Sequence, residues 1–303
     1  MRIFPINYSS LKQSFKSTQR TTYVTKDKRV VVSSVYDNMV LLANSKSSGV
    51  GVKVSNYTSF LRGDLHWNGI GEKLKQEFPK GKVNVYDFAC SDGSEAYSLI
   101  IALKEQLGDE EAQRFFPIHA SDVDSQIIKM AKSGKIHANR NDIVKLTRLI
   151  KDRNIEKYFD YEIINSSDCV LYPKECLSDN VTFQCEDIET GLSQVKKSNS
   201  LIMCRNFWKY LSPRKMAQVS MALRNAIDDS SRVVIGNFDK DFSSIPFFMK
   251  ELGMKQIGPS RDEANILKID EARNPYRYLD NQKAWQNRVD IMYREYVPSM
   301  DDE

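Results

Sequence analysis

The chain has 303 residues, 41% of them hydrophobic and 28% charged, with a formal net charge of +4. That length suits one large α/β domain or two ordinary ones, and the composition is too apolar for an intrinsically disordered chain. No run approaches the roughly eighteen apolar residues of a membrane span, and no Lys/Arg block is dense enough to track a phosphate backbone, so neither membrane insertion nor nucleic-acid binding is expected.

Residues 1–50 read as a small N-terminal extension with β character. Residues 29–36 form a strand pattern, 39–43 a second apolar run and 44–49 a Ser-rich break. The opening Met1-Arg2-Ile3-Phe4-Pro5-Ile6 lacks the apolar core of a secretory signal. The main domain is expected over 51–257. Within it, 83–89 reads as a buried strand, Cys90-Ser91-Asp92-Gly93 as a turn and 94–107 as a helix on which Tyr97, Ile100, Ile101 and Lys104 recur at helical spacing. Residues 116–122 predict a second strand and 125–133 a second helix. Residues 200–204 are a third strand, 213–227 a helix with Pro213 in its first turn, and 232–236 a further strand. This alternation predicts an α/β fold with a mostly parallel sheet and helices on both faces, whose ligands bind beyond the carboxyl ends of the strands. The segment 258–303 reads as a charged, partly helical tail.

The five cysteines are an odd number without a C-x-x-C pair, which points to a reducing, cytoplasmic setting. The three histidines, His66, His119 and His137, share no metal-ligand spacing with them, so no metal site, Cys/His nucleophile or histidine base is expected. The small residues of the 90–93 turn would let a ligand approach the backbone, and the acid in Ser121-Asp122-Val123-Asp124 could accept the hydroxyls of a ribose. These two features are equally compatible with an ordinary strand–turn–helix unit bearing solvent-facing acids. The absence of G-x-G-x-x-G argues against NAD or FAD, and that of G-x-x-x-x-G-K-[ST] against a P-loop.

Five segments in order carry a more specific resemblance. Asn56-Tyr57-Thr58-Ser59-Phe60-Leu61-Arg62 resembles N-x-T-x-F-F-R, with His66-Trp67 where an H-F pair is usual. Residues 89–98, Ala89-Cys90-Ser91-Asp92-Gly93-Ser94-Glu95-Ala96-Tyr97-Ser98, are similar to G-C-S-T-G-E-E-P-Y-S. Ala120-Ser121-Asp122-Val123-Asp124 resembles A-[ST]-D-I-D, and residues 131–136 resemble the A-x-x-G-x-Y that follows it. Val181-Thr182-Phe183 through Asp187-Ile188 resembles V-x-F-x-x-x-N-L, and Cys204-Arg205-Asn206 through Tyr210 resembles C-R-N-V-x-I-Y-F. Together these resemble the CheR family of methyltransferases, which use S-adenosylmethionine to esterify glutamates on chemotaxis receptors. The chain departs from the pattern at Ala89 (usually Gly), Ser94 (Glu), Asp187 (Asn) and in Gly236-Asn237-Phe238-Asp239, where G-x-S-E is usual. The family's helical receptor-docking domain has no evident counterpart in 1–50.

The resemblance implies a class I methyltransferase-like (Rossmann-like) fold with a small β excursion. It implies S-adenosylmethionine as cofactor, S-adenosylhomocysteine as product, and an acidic protein substrate such as the cytoplasmic region of a chemoreceptor. By carry-over, Arg62 and Tyr210 line the transfer site: Arg62 as a planar fork for a carboxylate, Tyr210 as a hydrogen-bond donor. Glu95 takes the ammonium of the methionine moiety, Asp122 the ribose, and Asp187 and Ile188 flank the adenine. Asn56 and Thr58 reach the cofactor from the leading segment, while Ala89, Ser91, Arg205 and Asn206 border it. A buried Arg205 requires an acid or ligand to meet it. A glutamate acceptor is ionised at neutral pH and needs no general base, which agrees with the scarcity of histidine. The stretch 169–177 corresponds to the excursion, with Pro173 expected to confine it to a sheet edge, most simply as a hairpin. Two other readings stay open: a methyltransferase of the same fold acting on another protein or a small molecule, and a cofactor-binding signalling module without catalysis.

Overall fold

The computed structural model describes residues 21–24, 30–33, 58–63, 65–236, 239, 253–257 and 265–269. Thr21–Val24 (β1) pairs antiparallel with Val30–Ser33 (β2), inside the expected 29–36 strand; the 39–43 run lies outside the described residues. The helix Ile70–Glu77 (α1) leads to Asn84–Phe88 (β3), Ser94–Leu107 (α2), the single turn Asp109–Ala112 (α3), Ile118–Asp122 (β4) and Ser125–Ser133 (α4). An excursion follows: Ile136–Asn139 (β5), Arg140–Leu149 (α5), Phe159–Ile163 (β6), Asp168–Pro173 (β7) and Glu175–Ser178 (α6). The chain then returns as Val181–Cys185 (β8), Ile188–Ser193 (α7), Ser200–Cys204 (β9), Pro213–Ala226 (α8) and Arg232–Ile235 (β10), ending in Met254–Gln256 (β11) and Asn265–Ile269 (β12).

Local chemistry sets these boundaries. The Asp124 side chain accepts from the backbone N–H groups of Gln126 and Ile127 to start α4, and Gly134, in the left-handed region at φ 66°, ends it. A reciprocal capping box between Asn139 and Asp142 opens α5, and Ser212 followed by Pro213 opens α8. Such caps satisfy N–H groups that the first helical turn leaves without partners.

Seven strands form the main sheet in the order β11-β12-β10-β9-β3-β4-β8. The five from β10 to β8 are parallel, while β12 runs antiparallel to β10 and β11 to β12. Strand alternation divides the core in two. Val85, Ala120, Leu201, Met203 and Val234 pack on one face with Tyr97, Ile100, Ile101 and Leu103 of α2. Tyr86, Phe88, Ile202, Cys204, Val233 and Ile235 pack on the other with Trp208 and with Met216, Ala217, Val219 and Leu223 of α8. Each large apolar side chain so buried contributes about 1.5–3 kcal/mol before the entropy of ordering is counted. This is a Rossmann-like α/β architecture, and among the described residues no helix is long and apolar enough to cross a membrane.

One expectation is corrected. The excursion is a three-stranded antiparallel sheet in the order β5-β7-β6, so β7, which carries Pro173, is its central strand and not an edge. Pro173 is tolerated because it is the last residue of β7: it lies opposite Phe159 of β6, whereas the ladder to β5 already ends at Leu171. β6 and β7 do form a hairpin. In the tail expected to be partly helical, residues 265–269 form β12, whose hydrogen bonds to β10 extend the main sheet; the rest of 258–303 lies outside the described residues.

After β3 the chain builds outward through β4 to β8, then returns to the opposite side of β3 as β9 and β10. That reversal makes the gap beyond the carboxyl ends of β3 and β9 a topological switch point, where parallel sheets leave a crevice.

Candidate functional site

A cleft of about 290 Å³ opens at that switch point, near the small end of the range of roughly 300–1,000 Å³ usual for small-molecule sites. Thr58, Arg62, Ala89, Ser91, Glu95, Asp122, Asp187, Ile188, Arg205, Asn206 and Tyr210 all line it. Every site residue named from the sequence is thus brought to one place except Asn56, which lies outside the described residues. Phe88, Cys90, Ser121, Val123, Glu186, Phe207, Leu211 and Lys215 complete the lining and were not singled out from the sequence as ligand contacts.

The turn after β3 is the floor. Ala89, Ser91 and Gly93 all have positive φ, at 59°, 52° and 89°. At Gly93 a Cβ would stand 2.6 Å from the Phe183 ring, so glycine is required there for space as well as for conformation. Asp122, buried at the end of β4, is clamped by two backbone amides: Ser91 N–H donates to its Oδ2 and Asp124 N–H to its Oδ1, both at 3.0 Å. Each carboxylate oxygen retains a second lone pair for a ligand hydroxyl. Asn206 is also left-handed, at φ 66°, and Leu61, next to Arg62, is at 46°. Of the non-glycine residues with positive φ among the described residues, most therefore sit at or beside the cleft, the usual place for stored backbone strain.

The leading segment is pinned over the opening. Phe60 is fully buried, edge-on to Phe159 at 5.6 Å, and Leu61 N–H donates to Ser98 Oγ at 2.9 Å. The Trp67 indole N–H donates to the Arg62 carbonyl at 2.9 Å, and Gln106 Nε2 donates to the Trp67 carbonyl at 2.6 Å. These bonds fix the backbone of Arg62 while its side chain stays half-buried in the cleft wall.

The acid that a buried Arg205 requires is Glu95. Arg205 Nη1 lies 2.7 Å from Glu95 Oε2, with the arginine side chain wholly buried and the glutamate 15% exposed. The guanidinium also stacks over the Trp67 ring at 5.3 Å and reaches the Arg62 carbonyl through Nη2 at 3.4 Å. Beside this pair, burial first, then the Glu95 charge, pushes the Asp87 carboxyl well above the usual range, with Arg205 opposing. Burial also raises the Cys90 thiol far above its ordinary value, so this lining cysteine is no nucleophile.

Asp239, fully buried, accepts hydrogen bonds from the N–H groups of Asn206 and Trp208, at 3.1 Å for the latter. It stands where the resemblance would put the glutamate of G-x-S-E, and it ties down the loop that carries Arg205, Asn206 and Tyr210. Asn237 and Phe238 lie outside the described residues. The Asn206 side chain is buried and lines the cleft, and among the described residues neither its amide nitrogen nor its amide oxygen has a hydrogen-bond partner. A buried amide without partners costs about 1–3 kcal/mol per unmade bond, so this one is poised for a ligand.

The histidines lie elsewhere. His119 sits against Tyr86 and Thr182, His137 is on β5, and His66 packs beside Gly69. Among the described residues no group of His, Cys, Asp and Glu could hold a metal ion.

A family model described as the CheR methyltransferase, SAM binding domain, matches residues 56–248. A chemotaxis protein methyltransferase of Borreliella burgdorferi is 22% identical over 60% of this chain and 64% of its own length, so the match spans less than two thirds of that relative. One from Listeria monocytogenes is 23% identical over 75% of this chain and 82% of its own length. Among solved structures, the magnesium protoporphyrin IX methyltransferase of Synechocystis PCC 6803 with bound S-adenosylhomocysteine is 12% identical, with a TM-score of 0.34 over 77% of this chain and 93% of that one.

Proposed function

The chain belongs to the CheR methyltransferase family and uses S-adenosylmethionine, and from that premise we propose that it forms methyl esters on glutamate side chains of an acidic protein, the cytoplasmic region of a chemoreceptor. The residues fit the cofactor. The buried Asn206 amide and the clamped Asp122 carboxylate offer polar groups to a nucleoside, and the left-handed turn at 89–93 keeps the floor low. Asp122 would take the ribose hydroxyls, Asp187 and Ile188 the adenine, and Glu95, Arg205 and Asn206 the amino-acid end, with Asn56 and Thr58 closing over it. When bound, S-adenosylmethionine supplies a methyl group activated by a sulfonium.

The single observation that carries the choice of acceptor is that a guanidinium, Arg62, and a phenol, Tyr210, both line the cleft, while all three histidines lie outside it. A planar fork and an O–H donor are suited to hold a carboxylate by charge-assisted hydrogen bonds and to strip its water. Such an acceptor arrives ionised, so no side chain has to remove a proton. A hydroxyl or amine acceptor would need a base. Arg62 and Tyr210 would therefore act by orienting the acceptor.

Transfer of labelled methyl groups to chemoreceptor cytoplasmic fragments tests the proposal. The expected product loses its label as methanol in mild base. A base-stable product would exclude a carboxyl ester and favour another acceptor.

A further inference from the structure

Lys215 lines the cleft from the first turn of α8, a place local electrostatics disfavour. That turn carries Arg214 and Lys215 and no acid, against a helix dipole that favours negative charge there. What holds Lys215 is Asp187, whose Oδ2 and Oδ1 lie 3.1 and 3.2 Å from Nζ, together with Glu189, whose Oε2 contacts Nζ directly. Asp187 Oδ1 also accepts from the Glu189 N–H at 2.9 Å, capping α7. The carboxylate and the ammonium are thus fixed relative to each other at the cleft wall, beside Ile188. An ammonium has three N–H bonds; among the described residues its hydrogen bonds, to Asp187 Oδ1 and Glu189 Oε2, use two of them.

We propose that Asp187 and Lys215 form a base-selecting pair that reads the amino edge of a 6-aminopurine, the carboxylate accepting from the exocyclic amine and the ammonium donating to a neighbouring ring nitrogen. This rests on the reading that the adenine of S-adenosylmethionine lies over Asp187 and Ile188. A side-chain amide, such as the asparagine that the resemblance would put at 187, also offers one acceptor and one donor. It can exchange them by a half-turn about its last torsion, and so accepts an amino or a keto base. The acid–ammonium pair cannot exchange roles by rotation. Burial works to lower the Lys215 ammonium, but the hydrogen bonds and charges of Glu189 and Asp187 together outweigh it and hold the ammonium above its ordinary value, so it remains a donor. A base with oxygen in place of the 6-amino group would present an acceptor to the carboxylate and a ring N–H to the ammonium. Both contacts then fail, which is how a site rejects an analogue of nearly the same shape.

Titration calorimetry of the full chain with S-adenosylhomocysteine and with S-inosylhomocysteine, its 6-oxo analogue, tests the pair. The wild type should favour the adenosyl compound by at least about thirtyfold. Lys215→Met should weaken adenosyl binding by about tenfold, and both it and Asp187→Asn should narrow the preference to within about fivefold. Lys215→Gln, which keeps a polar end, substitutes should the methionine variant misfold. A wild-type preference near unity, or one unchanged in the variants while S-adenosylhomocysteine still binds, overturns the pair and leaves the cofactor reading intact. Failure of the wild type to bind S-adenosylhomocysteine removes both.

Discussion

Replacing Arg205 by methionine removes the cation that Glu95 faces and leaves a carboxylate that is only 15% exposed without its principal charge partner. Breaking a buried pair from one side costs about 3–5 kcal/mol. The Trp67 stack, at 5.3 Å, adds about 0.5–2 kcal/mol, and the residual exposure of Glu95 beside the cleft takes some back, so about 3–4 kcal/mol is expected. Glu95→Gln keeps the shape and an acceptor oxygen, and should cost about 1–3 kcal/mol. The double variant relieves the uncompensated carboxylate. Its cost should therefore fall short of the sum of the two single costs by about 2 kcal/mol. Urea unfolding followed by circular dichroism yields all four free energies, with an unchanged m-value as the check that the comparison is sound. Single variants that each cost less than about 1 kcal/mol, or costs that add to within about 0.5 kcal/mol, would refute the claim that this ion pair braces the site.

Asp239→Ala leaves the buried N–H groups of Asn206 and Trp208 without their acceptor, and should cost about 2–4 kcal/mol in unfolding free energy, with Asp239→Asn recovering about half; a cost under about 0.5 kcal/mol contradicts its bracing role. Ala89→Gly relieves a left-handed alanine at φ 59°, and the greater freedom of the unfolded glycine chain offsets part of the gain. A net stabilisation of about 0.5–1 kcal/mol is expected, and a lower melting temperature would show that the turn is not strained. Burial and the nearby Glu95 raise Asp87 in the folded chain above its unfolded value near 3.8. Folding then takes up a proton between those two values, and stability falls as pH rises through that window. Asp87→Asn mimics the neutral acid and should flatten the fall of melting temperature as pH rises above the unfolded carboxylate's value; parallel curves for the two proteins would count against the shift.

Much of the framework could be read from the chain because its period is plain. The helices 94–107 and 125–133 and the strand 200–204 follow from apolar spacing and from the punctuation at Gly93, Asp124 and Gly134. Pro173 misled because a missing N–H forbids a central position only where the ladder needs that donor, and the pairing with β5 stops two residues earlier. β12 was hidden inside a charged tail, where a five-residue run that pairs with β10 carries too little local signal. The residues named for the site come together because four of the five quoted segments lie at the carboxyl ends of the parallel strands β3, β4, β8 and β9. Lys215 was missed because it lies one helical turn beyond a motif, and its partners are residues 187 and 189, on another element. The Ser212-Pro213 helix start could have shown that residue 215 belongs to the first turn. Asp239 bonds residues 206 and 208 across the fold, a relation that no spacing along the chain encodes.

The most direct measurement is a crystal structure of the full chain with S-adenosylhomocysteine. The nucleoside should lie beyond β3 and β4, its ribose hydroxyls on Asp122, its base beside Asp187 and Lys215, and its sulfur toward Arg62 and Tyr210. A nucleoside held anywhere else, or a cleft closed by those same side chains, would contradict the assignment.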